Sequence, residues 1–363
     1  MTGELRGLAT PRLEAWLRRE HPQFVSAEPL SATFITGGRS NLTYLLEGGP
    51  EPLVLRRPPL GHVLQTAHDM AREFRVISAL AHTVVPVPDA LLFQDDIDGA
   101  AGVGTPFYLM EYVAGDVLSS PTANSPFNPA QLRQLSIDLT STLARLHSID
   151  PEAVGLADFG RPTGYLERQV KRWGRQYDNS RSRELPVLDS LQDALRLAVP
   201  TTISSSLVHG DFRLDNAIVR VEMSGTPTIA AILDWEMATI GDSFTDLGLL
   251  GLYWNIREIG DGTNSIIPSA VDPASGYPTF SEILDAYSAA RGTVVPNLSW
   301  YLAFAAYKLA IILEGIQLRY TASETIGPGF ATIGELVTPL AAAGQRFLAA
   351  SASSTTSFDG TAS

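Results

Sequence analysis

Residues Ser206–Leu250, SLVHGDFRLDNAIVRVEMSGTPTIAAILDWEMATIGDSFTDLGLL, decide the fold. Leu207 and Val208 lead to a His209-Gly210-Asp211 turn, and Asn216 follows five residues after Asp211. Two β-prone runs come next, Ala217–Val221 and Ile229–Leu233, joined across a Gly-Thr-Pro turn, and the second is expected to end on Asp234. A hairpin would pair these runs antiparallel, with Asn216 just before the first and Asp234 at the end of the second, so the two positions are expected to lie close together. An amide oxygen and a carboxylate at neighbouring strand ends are hard ligands of the kind Mg²⁺ prefers. Asp211 is expected to face the same spot.

This combination is what phosphoryl transfer requires. A base accepts a hydroxyl proton, and metal ions neutralise the phosphate charge. The D-x-x-x-x-N spacing followed by a strand-end Asp resembles the kinase catalytic loop and its metal-binding Asp, with HGD in the place of HRD and DWE in the place of DFG. The chain thereby resembles the aminoglycoside phosphotransferase and choline kinase-like superfamily, from about Phe34 to Leu318. The string HGDFRLDN…ILDWEMATIGDSFTDLG looks closest to the branch of kinase-like domains found fused to acyl-CoA dehydrogenases. The resemblance implies Asp211 as the base, Asn216 and Asp234 as metal ligands, and ATP with Mg²⁺ as cofactors. Arg213 lies where kinases place a cation near the transferred phosphate, with a structural ion pair as its other reading. Asp246 resembles the carboxylate that props the catalytic loop, and Glu236 is a further possible ligand. DWEMATIGD leads directly to a helix, without the activation segment of a protein kinase.

Upstream, strands are expected at Leu30–Ile35, Leu42–Leu46, Leu53–Arg56, Ala90–Phe93 and Phe107–Val113, making a small five-stranded antiparallel sheet. Between the first two lies Gly37-Gly38-Arg39-Ser40-Asn41, a glycine turn whose backbone N–H groups can approach phosphates. Gly37, Gly38, Ser40 and Asn41 are therefore nucleotide-binding candidates. Arg56 stands where kinases carry the third-strand lysine; it stays charged and can clamp phosphate bidentately. Arg57 points the other way by strand alternation. A helix over Ala67–Ala81 carries Glu73, which resembles the glutamate that pairs with that strand cation. Met110–Gly115 looks like the kinase hinge, so backbone groups of Glu111 and Val113 are candidates to hydrogen-bond adenine.

Downstream the chain reads as helical: Asn128-Pro129 to His147, Tyr165–Tyr177, Leu188–Ala198, then Phe280–Ala290, Leu298–Tyr320 and Gly334–Leu348. His147 is expected to be a satisfied structural histidine. On the Tyr165–Tyr177 helix, Trp173 and Tyr177 share one face and Lys171 and Arg175 another, which offers either an acceptor-binding surface or a core face with solvated cations. The organisation expected is an N-terminal helical extension (1–28), an N-lobe (29–114), a C-lobe (115–350) and a disordered Ser/Thr/Ala-rich tail (351–363). The fold class is α+β, bilobal and protein-kinase-like.

Composition sets limits. The 363 residues are 45% hydrophobic and 18% charged, enough for a large core. With no cysteine, disulfides, zinc thiolates and thiol nucleophiles are excluded. The net charge of -13 argues against a nucleic-acid partner. No apolar run is expected to reach transmembrane length, the N-terminus lacks an apolar signal core, and the expected compartment is the cytoplasm without a membrane partner. The expected activity is Mg-ATP-dependent phosphorylation of a small-molecule hydroxyl, on a hydroxyacyl compound or on an aminoglycoside-like or amino alcohol acceptor. The alternative is a nucleotide-binding pseudokinase scaffold without turnover.

Overall fold

The computed structural model describes residues 5–35, 41–60, 69–203, 205–259, 267, 269–322 and 332–355. They form two compact units, one of residues 1–116 and 230–238, the other of 117–229 and 239–363.

The first unit opens with α1 (Thr10–Glu20), followed by β1 (Ser31–Phe34), β2 (Leu42–Glu47), β3 (Leu53–Arg57), α2 (Met70–Leu80), β4 (Ala90–Gln94) and β5 (Phe107–Glu111). The strands form one antiparallel sheet in the order β1-β2-β3-β5-β4. Leu13, Trp16 and Leu17 of α1 bury their stripe with Tyr44, Leu46, Leu53, Leu55 and Phe107. Trp16 meets Phe107 edge-on at 6.1 Å. The opposite face of the sheet receives α2, where Phe74 packs on Tyr108. Asp69 caps α2 by accepting from the Arg72 N–H at 2.9 Å. Period-two alternation in β3 therefore separates two arginines. Arg57 turns to the α1 side and donates to the carbonyls of Gly7 and Val103, while Arg56 turns to the α2 side. The strand expected to reach Val113 stops at Glu111.

In the second unit, β6 (Asp116–Val117) comes first, its Asp116 still belonging to the first unit. Then follow α3 (Pro129–Ser148), α4 (Tyr165–Ser180), α5 (Pro186–Leu197), β7 (Ser205–Val208), β8 (Ala217–Val221), β9 (Pro227–Ile232), β10 (Thr239–Asp242), α6 (Phe244–Trp254), α7 (Phe280–Arg291), α8 (Ser299–Thr321) and α9 (Val337–Thr355). From Ala230 to Ala238 the chain belongs to the first unit. Capping boxes start α3 (Asn128 with Gln131) and α7 (Thr279 with Glu282), each satisfying two backbone donors at the helix start. The hairpin of β8 and β9 differs from expectation at its end. The strand finishes at Ile232, and Asp234 lies beyond it at φ +68°, a left-handed conformation that Asp adopts more readily than most residues.

β10 was not expected; Thr239–Asp242 is paired antiparallel with β7, Ile240 opposite Leu207. α9 runs on to Thr355, past the expected start of the tail. α8 corrects another expectation, because by length and composition it is long and apolar enough to cross a membrane. It is apolar all round because neighbours surround it: 67% of its most apolar window is buried. Its fully buried Glu314 accepts from Ser182 Oγ at 2.6 Å and from Arg183 Nη2 at 3.0 Å.

Gly248 lets α6 approach α8, since a Cβ there would stand 2.6 Å from the backbone carbonyl carbon and oxygen of Tyr301. Gly248→Ala gains ~1 kcal/mol of helix propensity but forces two packed helices apart, at a cost of ~1–3 kcal/mol or more. The expected result is a lower denaturation midpoint, and a rise would contradict the close approach.

Candidate functional site

The residues singled out in the sequence fall into two groups, one in each unit. In the first unit, Arg56 pairs with two carboxylates. Its Nε lies 3.2 Å from Glu73 Oε2, and its Nη2 donates to Asp234 Oδ1. Glu73 is 1% exposed, so it is not a solvent-facing residue on α2. Burial pushes its carboxyl above the usual range, and Arg56 offsets part of that rise. For Arg56, burial opposes the charge, but Glu73, Tyr108 and Asp234 outweigh it and hold the guanidinium above its ordinary pKa. Arg56 is thus a permanent cation fixed between β3, α2 and the Asp234 turn.

Asn41, 3% exposed, donates from Nδ2 to Glu236 Oε2 at 3.1 Å. Its buried Oδ1 has no hydrogen-bond partner among the described residues. Gly37, Gly38 and Ser40 lie outside the described residues. The hinge expectation is narrowed by the structure, because the Glu111 N–H is already given to the Asp89 carbonyl at 2.9 Å. Val113 lies two residues beyond the end of β5.

In the second unit, β7 delivers His209, Gly210 and Asp211. Gly210 has φ +86°, so a side chain there would be strained. Two N–H groups of the turn, those of His209 and Gly210, donate to the Asp246 carboxylate at 2.7 and 2.8 Å. Asp246 is fully buried on α6 and also contacts His147 Nε2 at 3.1 Å, whose Nδ1 is 2.8 Å from the Tyr287 hydroxyl. Asp242 supports the start of the same helix, accepting from the Phe244 N–H at 3.0 Å and from the Tyr301 hydroxyl at 3.1 Å.

On this braced turn, Asp211 Oδ2 accepts from Asn216 Nδ2 at 2.9 Å, and the same amide nitrogen donates to the Asp211 carbonyl at 2.8 Å. Asn216 thereby commits its nitrogen and turns its carbonyl oxygen elsewhere. Arg213 pairs with Asp215 at 2.6 Å, approaches Asp211 Oδ2 at 3.5 Å, and lies 4.7 Å from the centre of the Tyr253 ring. The structure thus records the ion pair considered for Arg213, beside the loop it was expected to serve.

Two findings go beyond the sequence reading. Lys308, within an apolar stretch of α8, reaches back to the Gly210 carbonyl at 3.4 Å; a lysine inside AAYKLAIIL was the one signal available. On α4, Trp173 and Tyr177 are buried, and the Tyr177 hydroxyl donates to Asp189 at 2.9 Å. Lys171 and Arg175 point outward, so the aromatic face is core and not a ligand surface.

Asp246 gives a pH prediction. Burial would raise its pKa, but the hydrogen bond and charge of His147, then His209, outweigh it and hold the carboxyl below its ordinary value. The folded pKa is depressed, so this stabilisation is present above the unfolded value of ~3.9 and is lost as pH falls through the folded pKa. Asp246→Asn is expected to cost ~1.5–3 kcal/mol at neutral pH, with the gap to the wild type narrowing below about pH 4. Denaturant midpoints from pH 2 to 7 measure it, and a gap that ignores pH would contradict the assignment.

Comparison with known proteins gives three results. Residues 31–267 match the family described as "Phosphotransferase enzyme family". Acyl-CoA dehydrogenase family member 11 of Gallus gallus is 33% identical over 344 residues, covering 92% of this chain and 42% of the relative. The chain thus spans about two-fifths of that relative's length. Among solved structures, a Ralstonia eutropha protein described provisionally as an aminoglycoside phosphotransferase aligns with TM-score 0.76 and 30% identity, over 94% of this chain and 98% of its own. An aminoglycoside phosphotransferase in ternary complex with AMP-PNP and hygromycin B aligns with TM-score 0.57 at 13% identity, over 92% and 98% of the two chains. The shared fold is the α+β, kinase-like one expected from the sequence.

Proposed function

The chain belongs to the phosphotransferase enzyme family, and from that membership we propose that it is an Mg-ATP-dependent kinase phosphorylating a hydroxyl of a small molecule. The observation that carries the reading is the Asp211 carboxylate, oriented by Asn216 on a turn whose backbone is pinned by Asp246. A carboxylate held this way, and only partly exposed, is a suitable proton acceptor for an alcohol.

The donor set suits Mg²⁺. Asn216 spends its amide nitrogen on Asp211 and keeps its carbonyl oxygen, and Asp234 meets Arg56 through Oδ1 and keeps Oδ2. Among the described residues, no group of three or more acidic or histidine side chains could hold an ion unaided. Mg²⁺ commonly takes one or two protein oxygens together with substrate phosphates, and this reading assigns those to Asn216 and Asp234. When bound, the ion neutralises phosphate charge as it develops.

The chain's own residues do the rest. Arg56, held charged by Glu73 and Asp234, binds the ATP phosphates. Asn41 is assigned to them as well, and the Glu111 carbonyl with the backbone of Val113 meets adenine. Arg213 stands near the transferred group as a cation. The acceptor oxygen bonds to the γ-phosphorus as the bond to the β–γ bridging oxygen breaks. ADP departs with that electron pair, and the hydroxyl proton passes to Asp211.

The acceptor is a hydroxyacyl compound or an aminoglycoside-like or amino alcohol. The acyl-CoA dehydrogenase relatives favour the first, and the aminoglycoside phosphotransferase structures the second. The test is ADP release with and without Mg²⁺ across both acceptor groups. Acceptor-stimulated, Mg²⁺-dependent release supports the proposal. Nucleotide binding with no release under any condition would leave a pseudokinase instead.

A further inference from the structure

Tyr253 has no task in the mechanism above, yet its ring lies against the guanidinium of Arg213, whose Cζ is 4.7 Å from the ring centre. That is inside the range at which an aromatic face attracts a cation. Two acids flank the same guanidinium. Arg213 Nη1 meets Asp215 Oδ2 at 2.6 Å, and Arg213 Nε stands 3.5 Å from Asp211 Oδ2. Charge-assisted hydrogen bonds close to about 2.7–2.9 Å, so the pair with Asp215 is made and the contact with Asp211 stays loose.

The difference matters because Asp211 is the proposed base. A guanidinium can take both oxygens of a carboxylate through its fork of N–H groups, and Arg213 lies only two residues from Asp211. Such a pair would occupy the oxygens that must receive the acceptor proton. It would also spend on Asp211 the charge assigned to the transferred phosphoryl group. Asp215 draws the guanidinium aside but neutralises part of its charge. An aromatic face attracts a cation and brings no counter-charge. The Arg213 and Asp211 side chains are 23% and 29% exposed, so water screens these contacts only in part.

The place of Tyr253 follows from α6. It stands seven residues after Asp246, close to two helical turns, so the two fall on one face of the helix. From that face Asp246 pins the backbone of the catalytic turn, and Tyr253 meets the Arg213 side chain ~10 Å further along the axis. Elsewhere on its surface α6 is fixed by close packing. A Cβ on Gly248 would stand 2.6 Å from the Tyr301 backbone, and one on Gly251 2.4 Å from the Phe280 ring. One packed helix therefore sets both the turn and the ring that meets its arginine.

Resting on the kinase reading, we propose that Tyr253 is a positioning residue: its ring, together with Asp215, holds the Arg213 guanidinium off Asp211. The base then stays open to the acceptor hydroxyl, and the cation stays available to the transferred group. Tyr253 is assigned no contact with the reacting atoms and acts through Arg213 alone.

The test is a double-mutant cycle on the full chain. ADP release from Mg-ATP is measured with 3-hydroxybutanoate and with ethanolamine, one probe for each acceptor group above. The proteins are the wild type, Tyr253→Leu, Tyr253→Phe, Arg213→Gln and the double variant Tyr253→Leu/Arg213→Gln, with thermal melts to confirm folding. Tyr253→Leu should lower kcat at least ~5-fold, about 1 kcal/mol, with the KM for ATP near its wild-type value. Tyr253→Phe keeps the aromatic face and should hold kcat within ~2-fold. In the Arg213→Gln background, Tyr253→Leu should change kcat little, because the cation it positions is gone. A ring that only fills space would cost the same in both backgrounds. An additive cycle, a wild-type kcat in Tyr253→Leu, or a loss in Tyr253→Phe equal to that in Tyr253→Leu overturns the inference. Absence of turnover on both probes counts against the kinase reading, and the same cycle is then read in denaturation midpoints. There, coupling between Tyr253 and Arg213 supports the tether and additivity overturns it. If Tyr253→Leu fails to fold, Tyr253→Met takes its place.

Discussion

Asp211→Asn is expected to lower kcat by at least ~10²-fold while leaving the KM for ATP close to its wild-type value. The substitution keeps shape and volume, and its amide oxygen can still accept from Asn216, whose nitrogen lies 2.9 Å from Asp211 Oδ2. The backbone of the turn is held independently, by the two N–H bonds to Asp246. Folding should therefore be little affected, and the loss should lie in proton acceptance. Because the phosphate-binding role is assigned to Arg56 and Asp234, nucleotide affinity should not follow kcat. Steady-state kinetics with calorimetric ATP binding separates the two quantities. A variant with wild-type kcat would remove Asp211 as the base, and one that lost ATP binding as well would place it among the nucleotide ligands.

The second large effect is expected from Asp234→Ala. Two consequences add. Removing the carboxylate takes away one of the two proposed metal ligands, so Mg²⁺ should no longer strengthen nucleotide binding. It also strips one counter-charge from Arg56, whose side chain is only 12% exposed; losing a hydrogen bond to a charged group costs ~1.5–3 kcal/mol of stability. Glu73 still faces Arg56 at 3.2 Å, so the guanidinium keeps a partner and the fold should persist. ATP titrations with and without Mg²⁺ give the answer. The wild type should show a clear metal dependence and Asp234→Ala none. Equal dependence in both proteins would contradict the ligand assignment, and absence of metal dependence in the wild type would favour a scaffold that binds nucleotide without turnover.

Much of this arrangement was readable before the fold was known, for physical reasons. The strands of the first unit advertise themselves by alternation between glycine and proline turns, and each lies within a few residues of its expected place. Arg56 and Glu73 could be paired in advance because they stand where kinases carry the strand cation and its helix glutamate, a pairing that the resemblance implies. Strand alternation sent Arg57 to the other face, where it holds Gly7 and Val103.

What escaped was set by partners distant in sequence. β10 is four residues long and owes its existence to β7, which lies about thirty residues earlier; no local pattern announces such a strand. The left-handed Asp234 lies past the end of β9 because the strand stops at Ile232, and strand ends are where sequence patterns are weakest. Lys308 was hidden inside a helix whose apolar surroundings mark it as core, and only the packing of α8 places its ammonium beside Gly210. The α4 aromatics show the converse. Their shared face was legible, but whether a face meets the core or a ligand is decided by tertiary contacts, here burial of Trp173 and Tyr177.

The central claim is that a phosphoryl group moves from ATP to an alcohol oxygen on this protein. ³¹P NMR of the protein with Mg-ATP and a mixed panel of hydroxyacids, amino alcohols and aminoglycosides tests it most directly. The account predicts a new phosphomonoester resonance, growing in step with ADP, dependent on Mg²⁺ and absent with Asp211→Asn. A spectrum in which ATP persists unchanged, or yields only inorganic phosphate at the same rate with and without acceptors, would contradict it.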